Sequence, residues 1–259
     1  MKIHFRKIGE GKPVGILHGL FGSSDNWQSF GKELSASGYA VYLVDLRNHG
    51  QSGHDSIMNY KALSEDIAEL FADENLKGST LIGHSLGGKT AMTFAYNNAE
   101  LLNSLIVIDI APRQYPVQNK DILDALLAID TTKIKSRKEI ESELATYIHD
   151  TSTLQFLLKN LYWKEKDRLD WRFNLDAIKN FIEHVGSRTA PNTIFKKPTL
   201  FIRGENSKYI SPSDETEIKE LFENASVKTA PGAGHWVHAD NPQWLLSEVK
   251  TFLSNTFPH

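Results

Sequence analysis

Apolar residues run along this chain in two alternating rhythms. Short continuous apolar runs, Val14-Gly15-Ile16-Leu17, Tyr39-Ala40-Val41-Tyr42-Leu43-Val44, Thr80-Leu81-Ile82 and Leu105-Ile106-Val107-Ile108, have the length of strands buried on both faces. Between them lie stretches whose apolar residues stand three and four apart: Trp27, Phe30 and Leu34 within 26–35, and Leu63, Ile67, Leu70 and Phe71 within 60–75. That spacing predicts amphipathic helices. A further helix is expected to follow Ser85 and run to about Asn97, and Ile3, Phe5 and Ile8 mark a short extended segment before the first buried strand. Strands alternating with helices argue for an α/β fold on a mostly parallel sheet covered on both faces.

The alternation stops at Arg113 and resumes only after Ile194. In between no strand is predicted; four helical patterns follow one another, at 121–129, 138–149, 153–163 and 174–185. The expected organisation is therefore a core domain of 1–112 and 195–259 interrupted by a helical insertion, 113–194. After it come a strand at 198–203, a helix at 213–222, a strand at 225–229 and a closing helix at 241–253.

The residues with chemistry sit at the ends of the predicted strands, where open α/β sheets bind ligands. Thr80-Leu81-Ile82-Gly83-His84-Ser85-Leu86-Gly87-Gly88 reads as a strand, a Gly-x-Ser-x-Gly turn and the start of a helix. This is the nucleophile-elbow pattern, which exposes a serine on a tight turn. Gly83 and Gly87 leave room for strand and helix to approach, and Leu86, opening the helix, has a free amide to offer an oxyanion. Ser85 is the candidate nucleophile.

Composition narrows the partners. A net charge of −3 over 259 residues gives no reason to expect nucleic acid or an anionic membrane surface. The absence of cysteine excludes disulfides, thiol catalysis and cysteine metal sites. The segment Met1–Lys7 has no apolar core of signal-peptide length, and no run approaches the roughly 18 apolar residues of a membrane span. The expectation is a cytoplasmic protein.

His18-Gly19, the Asp45…Arg47…His49-Gly50…Ser52 loop, Gly83-His84-Ser85-Leu86-Gly87-Gly88 and Gly234-His235 stand in the order found in α/β-hydrolases, and the chain resembles that superfamily over its whole length. Arg47-Asn48-His49-Gly50 together with Lys89 resembles the YbfF-type branch of bacterial esterases. The resemblance implies an α/β-hydrolase fold with 113–194 as its cap. It also implies a serine esterase acting on short to medium acyl chains, with neither metal nor organic cofactor. The expected partner is a small-molecule ester or thioester, and the expected state a monomer or homodimer. It places the general base at His235; of the other late histidines, His238 reads as solvated or packed, and His259 lies at the terminus. It places the oxyanion hole at the amides of Leu20 and Leu86, with Phe21 in reserve.

The acid stays open between two residues. Most α/β-hydrolases carry it after the strand at 198–203, but the position where an aspartate is usual holds Ser207. Asp109, ending the preceding strand, is favoured over Glu205, with Ser207 as a supporting hydrogen-bond partner. His18 reads as shaping its turn, His84 as packed, the 47–52 loop as bracing the elbow, and Lys89 as a solvated ammonium. The aromatics Tyr115, Phe156, Tyr162, Trp163, Trp171 and Phe173 are candidates to roof an acyl pocket. The rival readings are an acyl-CoA thioesterase using the same residues and a catalytically silent binding protein. Epoxide and haloalkane chemistry is disfavoured, because it needs a carboxylate at the elbow.

Overall fold

The computed structural model describes residues 1–134, 136–166, 168–189 and 193–257; His259 lies outside them. The strands are β1 (Phe5–Ile8), β2 (Lys12–Leu17), β3 (Tyr39–Val44), β4 (Ser79–His84), β5 (Leu102–Ile108), β6 (Leu161–Glu165), β7 (Arg168–Trp171), β8 (Thr199–Gly204) and β9 (Ala225–Ala230). The helices are α1 (Gln28–Ser35), α2 (Tyr60–Asp73), α3 (Leu86–Asn97), α4 (Lys120–Ala128), α5 (Arg137–Leu144), α6 (Thr151–Leu158), α7 (Leu175–Phe181), α8 (Asp214–Leu221), α9 (Val237–Asp240) and α10 (Pro242–Thr256).

Seven strands form one sheet in the order β1-β3-β2-β4-β5-β8-β9. Only β1 runs antiparallel; every other neighbouring pair is parallel. The apolar runs explain this architecture. In β3, Val41 and Leu43 point into one core, with α1 and α10, while Ala40, Tyr42 and Val44 point into the other, with α2 and α3. A strand apolar at every position needs cover on both faces, and parallel crossovers supply it.

The segment expected to be wholly helical is not. β6 and β7 form a two-stranded antiparallel sheet there, with Leu161 opposite Trp171 and Lys164 ion-paired to Asp170 at 2.6 Å. The helix predicted over 153–163 ends instead at Leu158. Tyr162 and Trp163 are good strand residues, and Leu161, Leu169 and Trp171 are all buried. The short alternation was masked by the helical spacing just before it. The predicted helix at 138–149 is also shorter, ending at Leu144.

The two roots of this segment are tied together. The Thr189 amide donates to the Pro112 carbonyl at 2.8 Å, and the Tyr115 amide to the Gly186 carbonyl at 2.8 Å. Lys89 completes the knot. It is 1% exposed, and its ammonium donates to the carbonyls of Pro112, Arg113 and Ser187 at 3.1, 2.6 and 2.8 Å. This overturns the expectation of a solvated side chain. Its partners come from both roots of the inserted segment, which the local sequence around Lys89 does not reveal. Burial, and then the neighbouring Arg113 charge, push its pKa down to about 7.

Candidate active site

Ser85 sits between β4 and α3 with φ 53° and ψ −114°. A non-glycine residue there carries strain of order 1–3 kcal/mol. The surrounding backbone enforces it: the Ser85 amide donates to Ile108 O at 3.1 Å, and the Lys89 amide donates to Ser85 O at 3.0 Å. The flanking glycines are required by contact. A Cβ on Gly83 would lie 2.2 Å from the Gly87 carbonyl oxygen, and one on Gly87 2.4 Å from that of Leu17.

Asp109, directly after β5, is fully buried and has φ 51°. Its carboxylate collects three donors. Oδ1 accepts from the Gly204 amide at 2.9 Å; Oδ2 accepts from Ser207 Oγ at 2.5 Å and from His235 Nδ1 at 2.7 Å. The structure thus brings Asp109, Ser207 and His235 together. Glu205 is turned away: its Oε2 accepts from the Gly232 amide at 2.7 Å and holds the turn after β9. With Nδ1 protonated toward Asp109, Nε2 of His235 is left as the basic nitrogen. The far face of the imidazole is covered by Tyr209, stacked 3.9 Å away at 20°.

His84 packs against His235, and His238 packs against His84. His84 and His238 have ring centroids 4.8 Å from His235 and 5.1 Å from His84, respectively. The His84 Nε2–H donates to the His235 carbonyl at 2.9 Å, fixing the backbone of the catalytic candidate. His238 stacks on Trp27 at 4.4 Å, so it packs as expected. Burial lowers the pKa of both, that of His238 to about 4, so they stay neutral near pH 7.

The loop after β2 supplies the other side. Among the described residues the Leu20 amide meets no acceptor, which leaves it free for a ligand. Phe21 is different, because its amide already donates to His49 Nε2 at 3.2 Å. It therefore cannot serve as the reserve oxyanion donor, although its side chain borders the cavity. Its carbonyl is also held, by Asn160 Nδ2 at 2.8 Å. His18 behaves as expected: Nδ1–H donates to Gly19 O at 2.8 Å, and Nε2 accepts the Leu46 amide at 3.0 Å.

The loop at 47–52 braces a different target from the one expected. His49 holds Phe21, and the Asn48 carbonyl accepts the Asn174 amide at 2.9 Å, next to α7. Arg47 is anchored to Asp66 of α2 by two bonds, at 2.5 and 2.8 Å. The loop supports the Leu20–Phe21 turn and the inserted segment. His49, expected within a loop bracing the elbow, holds Phe21 instead, while Asn160 and Tyr209 are the supporting residues that motif reading missed. Only His49 lay inside a motif; the partners of the others are 139 and 26 residues away along the chain.

Ser85, His235, His84, Leu20, Phe21 and Trp236 border a cavity of about 320 Å³. Ile122, Thr153, Phe156 and Leu157 of the inserted segment close it from above. Of the other candidate roof aromatics, Trp163 is 51% exposed and cannot contribute. Trp171 and Phe173 stack on each other behind Phe21, with ring centroids 5.3 Å apart. Among the described residues no helix is long and apolar enough to cross a membrane.

The chain resembles known proteins along most of its length. A family model described as "Alpha/beta hydrolase family" matches residues 16–248. The chain is 35% identical over 252 residues to the sn-1-specific diacylglycerol lipase ABHD11 of Danio rerio, covering 95% of this chain and 79% of that one. It is 33% identical over 245 residues to the esterase YbfF of Escherichia coli, covering 94% and 93%. The solved structure of a marine microorganism esterase superposes with a TM-score of 0.94 at 42% identity, covering 97% of this chain and 99% of that one. With an elbow serine, a histidine on a buried aspartate, a parallel sheet beneath them and these relatives along most of its length, the chain belongs to the alpha/beta hydrolase family.

Proposed function

We propose that the protein cleaves carboxylic esters of short to medium acyl chain through an acyl-enzyme formed on Ser85. Esterase and lipase relatives over at least 94% of its length make it a carboxylic ester hydrolase. The observation that carries the assignment of roles is the 2.7 Å bond from His235 Nδ1 to the buried Asp109, in a histidine that shares its cavity with Ser85. A serine hydroxyl needs such a base to attack at neutral pH.

In this reading Ser85 Oγ attacks the ester carbonyl while His235 Nε2 takes its proton. Asp109 fixes the tautomer and stabilises the imidazolium that results; Ser207 and the Gly204 amide hold Asp109 in place. The amides of Leu86 and Leu20 receive the negative oxygen of the tetrahedral intermediate, and such fixed donors are worth most where charge develops. His235 then protonates the departing alcohol, and a water it activates releases the acid. Residues 113–194 act as a cap that roofs the cavity and limits the size of what enters.

The test is a hydrolysis panel of esters and acyl-CoA thioesters of graded chain length, with Ser85→Ala as blank. Ester turnover should fall by several powers of ten in the variant, because the members of such a site act as a unit. Undiminished turnover in Ser85→Ala would overturn the assignment.

A further inference from the structure

Ser85 borders two chambers of very unequal size. The larger is the 320 Å³ cavity, walled by His235, Trp27, Phe156, Trp236 and His238. The smaller is about 20 Å³ and is walled by Leu86, Ile110, Tyr115, Val185 and Gly186. Leu20, Asn119 and Tyr209 border both, so the two chambers meet at the serine. His235 borders the first and not the second.

The chemistry of acyl transfer assigns a substituent to each. As the Ser85 Oγ–carbon bond forms, the carbonyl carbon carries four groups: the serine oxygen, the oxyanion, the ester oxygen and the acyl carbon. The oxyanion is taken by the Leu20 and Leu86 amides. When the carbon–oxygen bond to the alcohol breaks, that oxygen must receive from His235 the proton Ser85 gave up. The alcohol therefore leaves on the side of His235, and the acyl carbon is directed away from it. We propose that the 20 Å³ chamber is the acyl pocket and the 320 Å³ chamber the alcohol pocket, which makes the protein selective for acetyl-sized acyl groups on larger, apolar alcohols. This rests on the roles given above to Ser85 and His235, and it confines the acyl range proposed there to its short end.

With about 20 Å³ open to a water-sized sphere against about 320 Å³ on the other side, this chamber takes the smaller of the two substituents. The wall is built to resist expansion. The Tyr115 hydroxyl accepts the Ala111 amide at 2.8 Å and donates to the Tyr209 carbonyl. The backbone of Gly186 passes so close to Tyr115 that a Cβ there would lie 2.5 Å from its carbonyl oxygen. Lys89 clamps the adjoining roots at Arg113 and Ser187. Of the aliphatic wall residues, Leu86 adjoins Ser85 and Ile110 adjoins Asp109, whereas Val185 stands outside the segments that carry the chemistry, and its side chain is assigned the limit on acyl length.

Two matched ester series on the intact protein test this. One keeps the alcohol fixed and lengthens the acyl chain from acetyl to octanoyl; the other keeps acetate and lengthens the alcohol from ethyl to octyl. kcat/KM should fall roughly tenfold or more between acetyl and butyryl, the scale on which a pocket rejects extra methylenes, and should rise along the alcohol series. Val185→Ala should flatten the acyl series and leave the slope of the alcohol series as it is; Phe156→Ala should alter the alcohol series alone. Rates that hold or climb to octanoyl in the wild type, or a Val185→Ala effect confined to the alcohol series, overturn the chamber assignment. Turnover of the same esters by Ser85→Ala would instead overturn the catalytic roles, so the two failures are separable.

Discussion

Asp109 reaches His235 across 126 residues of sequence because β5 delivers it at the end of a rigid strand, beside the loop after β8. Three donors on one buried carboxylate leave it little freedom, and Glu205 is already spent on the turn at Gly232. Asp109→Asn should therefore lower kcat by at least about two powers of ten through loss of the correct tautomer. Glu205→Gln, nearly isosteric, should cost less than about one. Steady-state kinetics of the two variants decide this, and the reverse order would move the acid to Glu205. At this scale the sequence was informative where chemistry forces a local pattern. Ser85 needs small neighbours, and they are adjacent in the chain. It was silent where the partner is distant: Lys89 reads as an ordinary surface lysine until the carbonyls of Pro112, Arg113 and Ser187 close on it.

Two elements carry the site, and each is held by a buried polar group. The Leu20–Phe21 turn has its Phe21 peptide gripped at both ends, by His49 at the amide and Asn160 at the carbonyl. Asn160→Ala should loosen that turn and lower kcat between a few-fold and about tenfold, the worth of one hydrogen bond. KM should change little if the turn acts on the oxyanion; a pure KM effect would argue that Asn160 serves binding. Helix α3 is tied to the roots of the inserted segment through Lys89. Lys89→Met leaves the Arg113 and Ser187 carbonyls without this donor, while the Pro112 carbonyl keeps the Thr189 amide, and should destabilise the protein by about 1–3 kcal/mol in denaturant unfolding. The pH dependence has a defined sign. The Lys89 pKa is about 7 in the fold against an ordinary 10.5, so between those values the unfolded chain binds the proton more strongly. Wild-type stability should therefore rise relative to Lys89→Met as pH goes from 7 to 9; a constant difference over that window would contradict the lowered pKa.

For the molecule as a whole, the period of the apolar pattern was enough for the architecture. Strands such as β3 and β5 are apolar at consecutive positions because helices cover both faces, and that signature survives without knowledge of neighbours. The inserted segment was harder. β6 and β7 are short, one is largely exposed, and their pairing depends on burying Leu161, Leu169 and Trp171 against the rest of the insertion. The same distance effect hid the roof: Trp163 and Phe156 are equivalent by type, yet one faces solvent and the other the cavity.

All of this depends on a covalent intermediate at one hydroxyl. The direct measurement is the intact mass of the protein after treatment with an organophosphonate ester, followed by peptide mapping, on wild type and Ser85→Ala. The account predicts one adduct per chain, on the peptide carrying Ser85, with loss of ester hydrolysis in proportion to labelling, and no adduct on the alanine variant. An adduct on another residue, or full hydrolysis by protein whose Ser85 is completely modified, would contradict it.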